Sequence, residues 1–265
     1  MSRFTYLIAE GVLDVIFLNK VICQAFGLKQ IQKHADLPDH AKEWLSKISK
    51  WPIADDITRM SVPAPVFLNN QSSLIGIRNA KGIKNVDATV RGDYETFLRL
   101  DWFPDTMCVI LDADDQTPTE RFADFVPLFQ VQERGLPQPS LLGQVAAHEA
   151  KRSGVFSFPG TSQPGTIEDI LLPLAVQRFE NLSEHAARYI AEWIPSESDD
   201  FKELAKPSGR KKAQLSAMAA LLKPGKSINA SIDDQKWISN PVDIPELEPL
   251  IKFLADALLL EISDP

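Results

Sequence analysis

Apolar positions along the chain fall into four short runs rich in β-forming residues: Phe4–Ala9, Ser73–Arg78, Met107–Leu111 and Val155–Phe158. Between and after them, apolar residues recur at roughly helical spacing. Leu13, Phe17, Val21 and Phe26 predict a helix after the first run, and Phe122, Phe125, Leu128 and Phe129 predict another over Pro118–Gln130. Further helices are expected near Asp39–Ile48, over Asp93–Leu100, from Thr166 to Phe179, and over Ala187–Trp193, Lys211–Leu222 and Glu246–Glu261. Met107–Leu111 is continuously apolar, as a strand buried on both faces should be. Strands alternating with helices imply right-handed crossovers and a mostly parallel four-stranded sheet flanked by helices, an α/β fold. The stretch 27–70, with Trp44, Trp51 and prolines at 38, 52, 63 and 65, reads as a helical insertion. Residues 1–182 would form the sheet domain and 183–265 a helical C-terminal extension, with Pro195–Asp200 an exposed loop.

Three acidic clusters stand where these apolar runs end. Glu10-Gly11-Val12-Leu13-Asp14 follows the first strand, Asp112-Ala113-Asp114-Asp115 the third, and Gly165-Thr166-Ile167-Glu168-Asp169 lies just beyond the fourth. Ligands of open α/β sheets collect at the carboxyl ends of the strands, so these acids can meet. Converging carboxylates repel one another unless a cation neutralises them. Hard oxygen ligands suit Mg²⁺ or Mn²⁺, and the pattern reads as a metal-dependent enzyme acting on phosphate esters.

In order and strand context, Glu-Gly-x-x-Asp, Asp-x-Asp and the later acidic pair resemble the topoisomerase–primase (TOPRIM) catalytic fold. The chain is similar to small bacterial TOPRIM-like proteins of unknown function related to the nuclease half of the overcoming-lysogenization-defect (OLD) nucleases. The resemblance extends to the Gly-Val-Phe-Ser-Phe-Pro strand and the Lys212-Ala213-Gln214-Leu215 helix, and is thin from 27 to 70. It implies a nuclease hydrolysing phosphodiester bonds of DNA or RNA with two Mg²⁺ or Mn²⁺ ions. Glu10 would act as general base or metal ligand, and Lys211 or Lys212 would set positive charge against the transition state. It also implies a defence or repair setting with a separate ATPase as partner, and allows an oligomer. The rival is a non-catalytic nucleic-acid- or partner-binding protein of the same fold.

Each acid has a plainer alternative. Glu10 can be a solvated turn residue, and Asp14 can simply favour a helix amino terminus. Asp112 and Asp114 share one side of a turn and can bind one metal or flank two, with Asp115 a third ligand or a turn former. Thr166 followed by Asp169 is a capping-box pattern, which accounts for Asp169 but not Glu168. Glu168 is therefore the stronger ligand candidate of the two.

The remaining chemistry narrows the field. Cys23 and Cys108 lie in apolar stretches and read as buried free thiols. His34, His40, His148 and His185 lack paired metal-ligand spacing, with His148-Glu149 a surface pair. Ser157 and Ser162 lack a Gly-x-Ser-x-Gly elbow, and no phosphate-cradling Gly-rich loop is present, which argues against ATP hydrolysis by this chain. Tyr6, Tyr94 and Tyr189 offer no topoisomerase context. No stretch resembles a signal peptide or approaches the ~20 apolar residues of a bilayer span, so a cytoplasmic location and no membrane partner are expected. The net charge of −8 in 265 residues sits awkwardly with nucleic-acid binding. Locally, however, Lys202, Lys206, Arg210, Lys211, Lys212, Lys223 and Lys226 face the single acid Glu203, a run that can hold a phosphate backbone or be a solvated basic helix end.

Overall fold

In the computed structural model, residues 3–48, 65–129, 136–193, 201–234 and 237–262 are described. The four expected apolar runs form the parallel centre of the sheet. They are β1 (Arg3–Ala9), β4 (Ser73–Asn79), β5 (Thr106–Asp112) and β7 (Lys151–Phe158). The sheet is nonetheless larger than four strands. β2 (Lys29–Gln30), β3 (Val66–Asn69) and β6 (Val145–His148) join antiparallel at the edges, giving seven strands in the order β2-β3-β4-β1-β5-β7-β6. The stretch 27–70 is therefore not simply helical: α2 (Asp39–Ile48) forms as expected, but β2 and β3 extend the sheet. His148 closes β6, and the Glu149-Ala150 turn joins it to β7.

Alternation along the strands divides the core into two layers. Phe4, Tyr6 and Ile8 of β1 and Met107, Val109 and Leu111 of β5 face one layer, under α2, α3 (Val86–Arg99) and α4 (Pro118–Phe125). There Tyr6 meets Trp44 and Phe97 edge-on, at 5.3 and 5.2 Å between ring centroids. The Tyr6 hydroxyl donates to the Asp93 carboxylate, which lies 3.4 Å from Arg78 Nε. Leu7, Ala9, Cys108 and Ile110 face the other layer. It is covered by α1 (Val12–Phe26), α5 (Glu168–Arg178), α6 (Glu180–Ala191), α8 (Pro207–Leu222), α9 (Ile228–Asp234) and α10 (Glu248–Leu258). A short helix, α7 (Lys202–Ala205), precedes α8. Residues of α8, α9 and α10 thus share one hydrophobic core with α1 and the sheet. The expected loop at Pro195–Asp200 lies outside the described residues, apart from which the C-terminal region is helical as anticipated.

Close packing on this layer depends on Gly154 of β7, where an added Cβ would stand 2.7 Å from the Phe253 ring of α10. Gly154→Val is expected to lower stability by about 1–3 kcal/mol through overpacking, read by urea unfolding. An unchanged midpoint would show that α10 shifts without cost.

β1 connects through α1 toward β4 on one side, whereas β5 connects through α4 toward β7 on the other. The carboxyl ends of β1 and β5 therefore flank a topological switch point, where open sheets leave a crevice.

Candidate active site

That crevice is a cleft of about 310 Å³ lined by Glu10, Asp14, Asp112, Glu168 and Lys212, with Ser216 of α8 and Ile228 of α9 closing it. Each acid comes from a different place in the chain. Glu10 directly follows β1, Asp112 ends β5, Asp14 lies in the first turn of α1, and Glu168 opens α5. Three are almost fully buried, with relative exposures of 5% for Asp14, 7% for Asp112 and 2% for Glu168.

Backbone donors hold two of these carboxylates. Asp14 Oδ2 accepts from Gly11 N–H at 2.6 Å, reaching back as the acid of a capping box does. Gly11 itself is extended (φ −131°), so its backbone does not require glycine; its value is space, since a Cβ would lie 3.3 Å from Asp14 Oδ2. Asp112 Oδ1 accepts from Ile167 N–H at 2.8 Å, which ties the end of β5 to the start of α5. Glu10 Oε2 and Glu168 Oε2 are buried without a hydrogen-bond partner.

Facing this charge is Lys212, the one basic side chain lining the cleft among the described residues, with Nζ 3.8 Å from Glu168 Oε1. Burial pushes the Asp14 carboxyl up to about 7, and the neighbouring Glu10 and Glu168 charges add to it against the Gly11 hydrogen bond. Asp112 is held well above the usual carboxylate range by burial, then by Asp14, Glu168 and Glu10. Glu10 is raised by burial and by Asp114, against a hydrogen bond from the Asp112 backbone and the charges of Arg121 and Lys212. Burial alone would lower the Lys212 ammonium, but the surrounding acids, Glu168 first, outweigh it and raise its pKa.

The other expected site residues have different employment. Asp114 sits just past the cleft in a left-handed conformation (φ +55°), donates its N–H to Gly165 O at 2.8 Å, and pairs with Arg121 at 3.2 Å. Its charge still reaches Glu10 and Lys212. Asp115 is exposed. Asp169 accepts from Thr166 N–H at 2.9 Å and pairs with Lys211, so its oxygens serve the start of α5 and a bridge to α8. Asp169→Ala should accordingly cost about 0.5–2 kcal/mol of stability without changing Mn²⁺ binding, which a thermal melt and a calorimetric titration would separate. Lost Mn²⁺ binding would return Asp169 to the ligand set. None of the four histidines lines the cleft, and Tyr6 and Tyr94 are buried. Cys108 is buried, and Cys23 partly so, as free thiols. Ser216, Ile228 and the Gly82 backbone, which also line the cleft, escaped the sequence reading because only the fold carries them there.

The family described as "Protein of unknown function (DUF3226)" matches residues 5–259. The chain belongs to the DUF3226 family. No curated protein matches this DUF3226 chain. Among solved structures, it is similar in fold to a hypothetical protein from Pyrococcus horikoshii OT3, with a TM-score of 0.55 and 14% identity over 96% of this chain and 95% of that one. At that identity the likeness concerns the fold. No helix among the described residues is long and apolar enough to cross a membrane.

The donor set fits a hard divalent cation. It consists of carboxylate oxygens, two of them buried without partners, in an acidic cleft with a single facing lysine. Among the described residues, no three acidic, imidazole or thiol groups already stand close enough to grip one ion. Coordination would therefore require the Glu10 or Glu168 side chain to turn toward Asp112.

Proposed function

We propose that this DUF3226 protein is a divalent-metal-dependent nuclease, hydrolysing phosphodiester bonds of DNA or RNA. The observation that carries this reading is the convergence of Glu10, Asp14, Asp112 and Glu168 at the switch-point cleft, with Lys212 the one basic side chain lining it among the described residues. Burying that many carboxylates with one counter-charge is costly unless a cation shares the site. Glu10, Asp112 and Glu168 would hold Mg²⁺ or Mn²⁺, which when bound supplies positive charge against the phosphate oxygens.

The chain's own groups then divide the work. The Gly11 and Ile167 N–H groups hold Asp14 and Asp112 in fixed orientations. Glu10, one of whose carboxylate oxygens is buried without a hydrogen-bond partner, would take the proton from the attacking water. Lys212 is half exposed on the cleft wall and sets its ammonium against the charge that develops on the phosphate. A TOPRIM-type two-ion site and a separate ATPase partner extend this reading; a second ion would draw on Asp114, which pairs with Arg121 in this structure.

A second reading, a nucleic-acid- or partner-binding protein without catalysis, is favoured by the absence of a ready three-ligand cluster among the described residues. Labelled single- and double-stranded DNA and RNA incubated with Mg²⁺, Mn²⁺ or EDTA decide between them. Metal-dependent cleavage supports the nuclease, and binding without cleavage under every condition supports the alternative.

A further inference from the structure

Most large aromatic side chains among the described residues are buried, and the two exposed ones stand together. Tyr189 is 58% exposed and Trp193 44%, whereas the other exposed large apolar residues among those described are aliphatic. Tyr189 lies in the last turn of α6 and Trp193 just past its end, four residues on, about 6 Å along the axis. The adjoining side of α6 is the one that packs: Ser183, Ala186 and Ile190 are buried, and Gln214 of α8 donates to the Ser183 carbonyl at 3.2 Å and to its hydroxyl at 2.9 Å. The Trp193 ring stacks on Phe201 (5.5 Å between centroids, 27° between planes), which leads directly into α7.

These contacts orient the surface. Ser183, near the start of α6, touches the middle of α8, and Trp193, beyond its end, touches the segment before α8. The aromatic pair therefore lies toward the amino-terminal end of α8. Exposed cations gather at that end. Lys202 adjoins Phe201, Lys206 pairs with Glu203 at 3.0 Å, and Arg210 is anchored by its guanidinium to the Leu204 carbonyl at 2.7 Å. Glu192 adjoins Trp193, and Asp199 and Asp200 precede Phe201 in the sequence, so the cations share this stretch of the sequence with acids. From Lys206, α8 runs only six residues, about 9 Å, to Lys212 in the carboxylate cleft.

We propose that this surface, Tyr189 and Trp193 flanked by Lys202, Lys206 and Arg210, binds single-stranded nucleic acid leading into the cleft. Exposed aromatic faces stack on unpaired bases and nearby cations hold the backbone, a combination that a duplex, with its bases already stacked, cannot use. The direction of the strand rests on the nuclease reading; the binding itself does not.

The test uses the full-length protein in EDTA, with fluorescence anisotropy of a labelled oligothymidylate and of a matched duplex. Tyr189→Ala alone, and with Trp193→Ala, should weaken single-strand binding by roughly tenfold or more while duplex binding changes little. Lys206→Ala should reduce the slope of log affinity against log salt by about 0.7. Sedimentation and circular dichroism on the same samples confirm mass and folding. The proposal is overturned if the parent fails to bind the single strand, or if the double variant binds it equally well. It also falls if the parent is a dimer that the double variant dissociates, which would assign the surface to a second copy. Single-strand binding without cleavage in Mg²⁺ or Mn²⁺ would retain this surface and reject the nuclease reading, whereas cleavage with unaltered binding in the variants would do the reverse.

Discussion

Asp112→Asn should reduce Mg²⁺- or Mn²⁺-dependent cleavage roughly 10³-fold or more, with the fold intact. The substitution is nearly isosteric, and the amide oxygen can still accept from Ile167 N–H, so the link between β5 and α5 persists. What disappears is the charge at the centre of the carboxylate group, the one influenced by Asp14, Glu168 and Glu10 together. Glu10→Gln should give a loss of similar size while sparing nucleic-acid binding, since it removes both a cation ligand and the proposed proton acceptor. Rates come from labelled oligonucleotides at saturating metal, and circular dichroism guards against misfolding. Cleavage at the parental rate by both variants would remove the cleft from the chemistry.

Without metal, the protein should become less stable as pH rises from about 4 to about 7, the reverse of ordinary acid denaturation. The Asp14 carboxyl titrates near 7 in the folded chain, against 3.8 for a free aspartate. Between those values the folded state holds a proton that the unfolded state has lost, so stability falls with rising pH and levels off above about 7. Asp112 and Glu10 shift the same way. The Lys212 shift acts in a separate, alkaline window: its raised pKa stabilises the fold at lower pH, and that contribution is lost as pH climbs through the folded value. Together the carboxylates should cost on the order of a few kcal/mol at pH 8. Urea unfolding in EDTA would show this most cleanly as the difference between wild type and Asp14→Asn, with the variant more stable at pH 8 and the two converging below about pH 4. Mg²⁺ or Mn²⁺ should close the gap by stabilising wild type, since an ion bound only by the folded state adds its binding free energy. A difference that is flat across this range would mean that the carboxylates are not in electrostatic conflict.

Legibility in the sequence followed the length and continuity of apolar runs. Val109-Ile110-Leu111 announces a buried strand, and Phe4–Ala9 with its trailing Glu10 announces both a strand and the acid that lines the cleft at its end. The edge strands carried no such signal. Lys29–Gln30 is two polar residues long, and Val145–His148 is partly to fully exposed, so both exist because a neighbouring strand offers hydrogen bonds. In the site, the strand-end acids were readable because three such clusters each follow an apolar run, where the carboxyl ends of parallel strands bring them to one edge of the sheet. The partners were not. Arg121 is seven residues from Asp114 and Lys211 is forty-two from Asp169, and only the packing of α4 and α8 decides which acids are paired and which stay available. The capping role of Asp169 was local, and so it could be anticipated from Thr166.

Lys212, on α8, supplies the only basic side chain among the described residues that lines an acidic cleft otherwise assembled from β1, β5, α1 and α5. A chain cut after Leu182 would keep every one of the four acids yet lose their counter-ion. It would also bare the sheet-facing layer that Leu215, Met218 and Phe253 cover. The C-terminal helices therefore behave less as an appendage than as a wall of the cleft, and the smallest unit that keeps both the cleft and its covered sheet reaches α10.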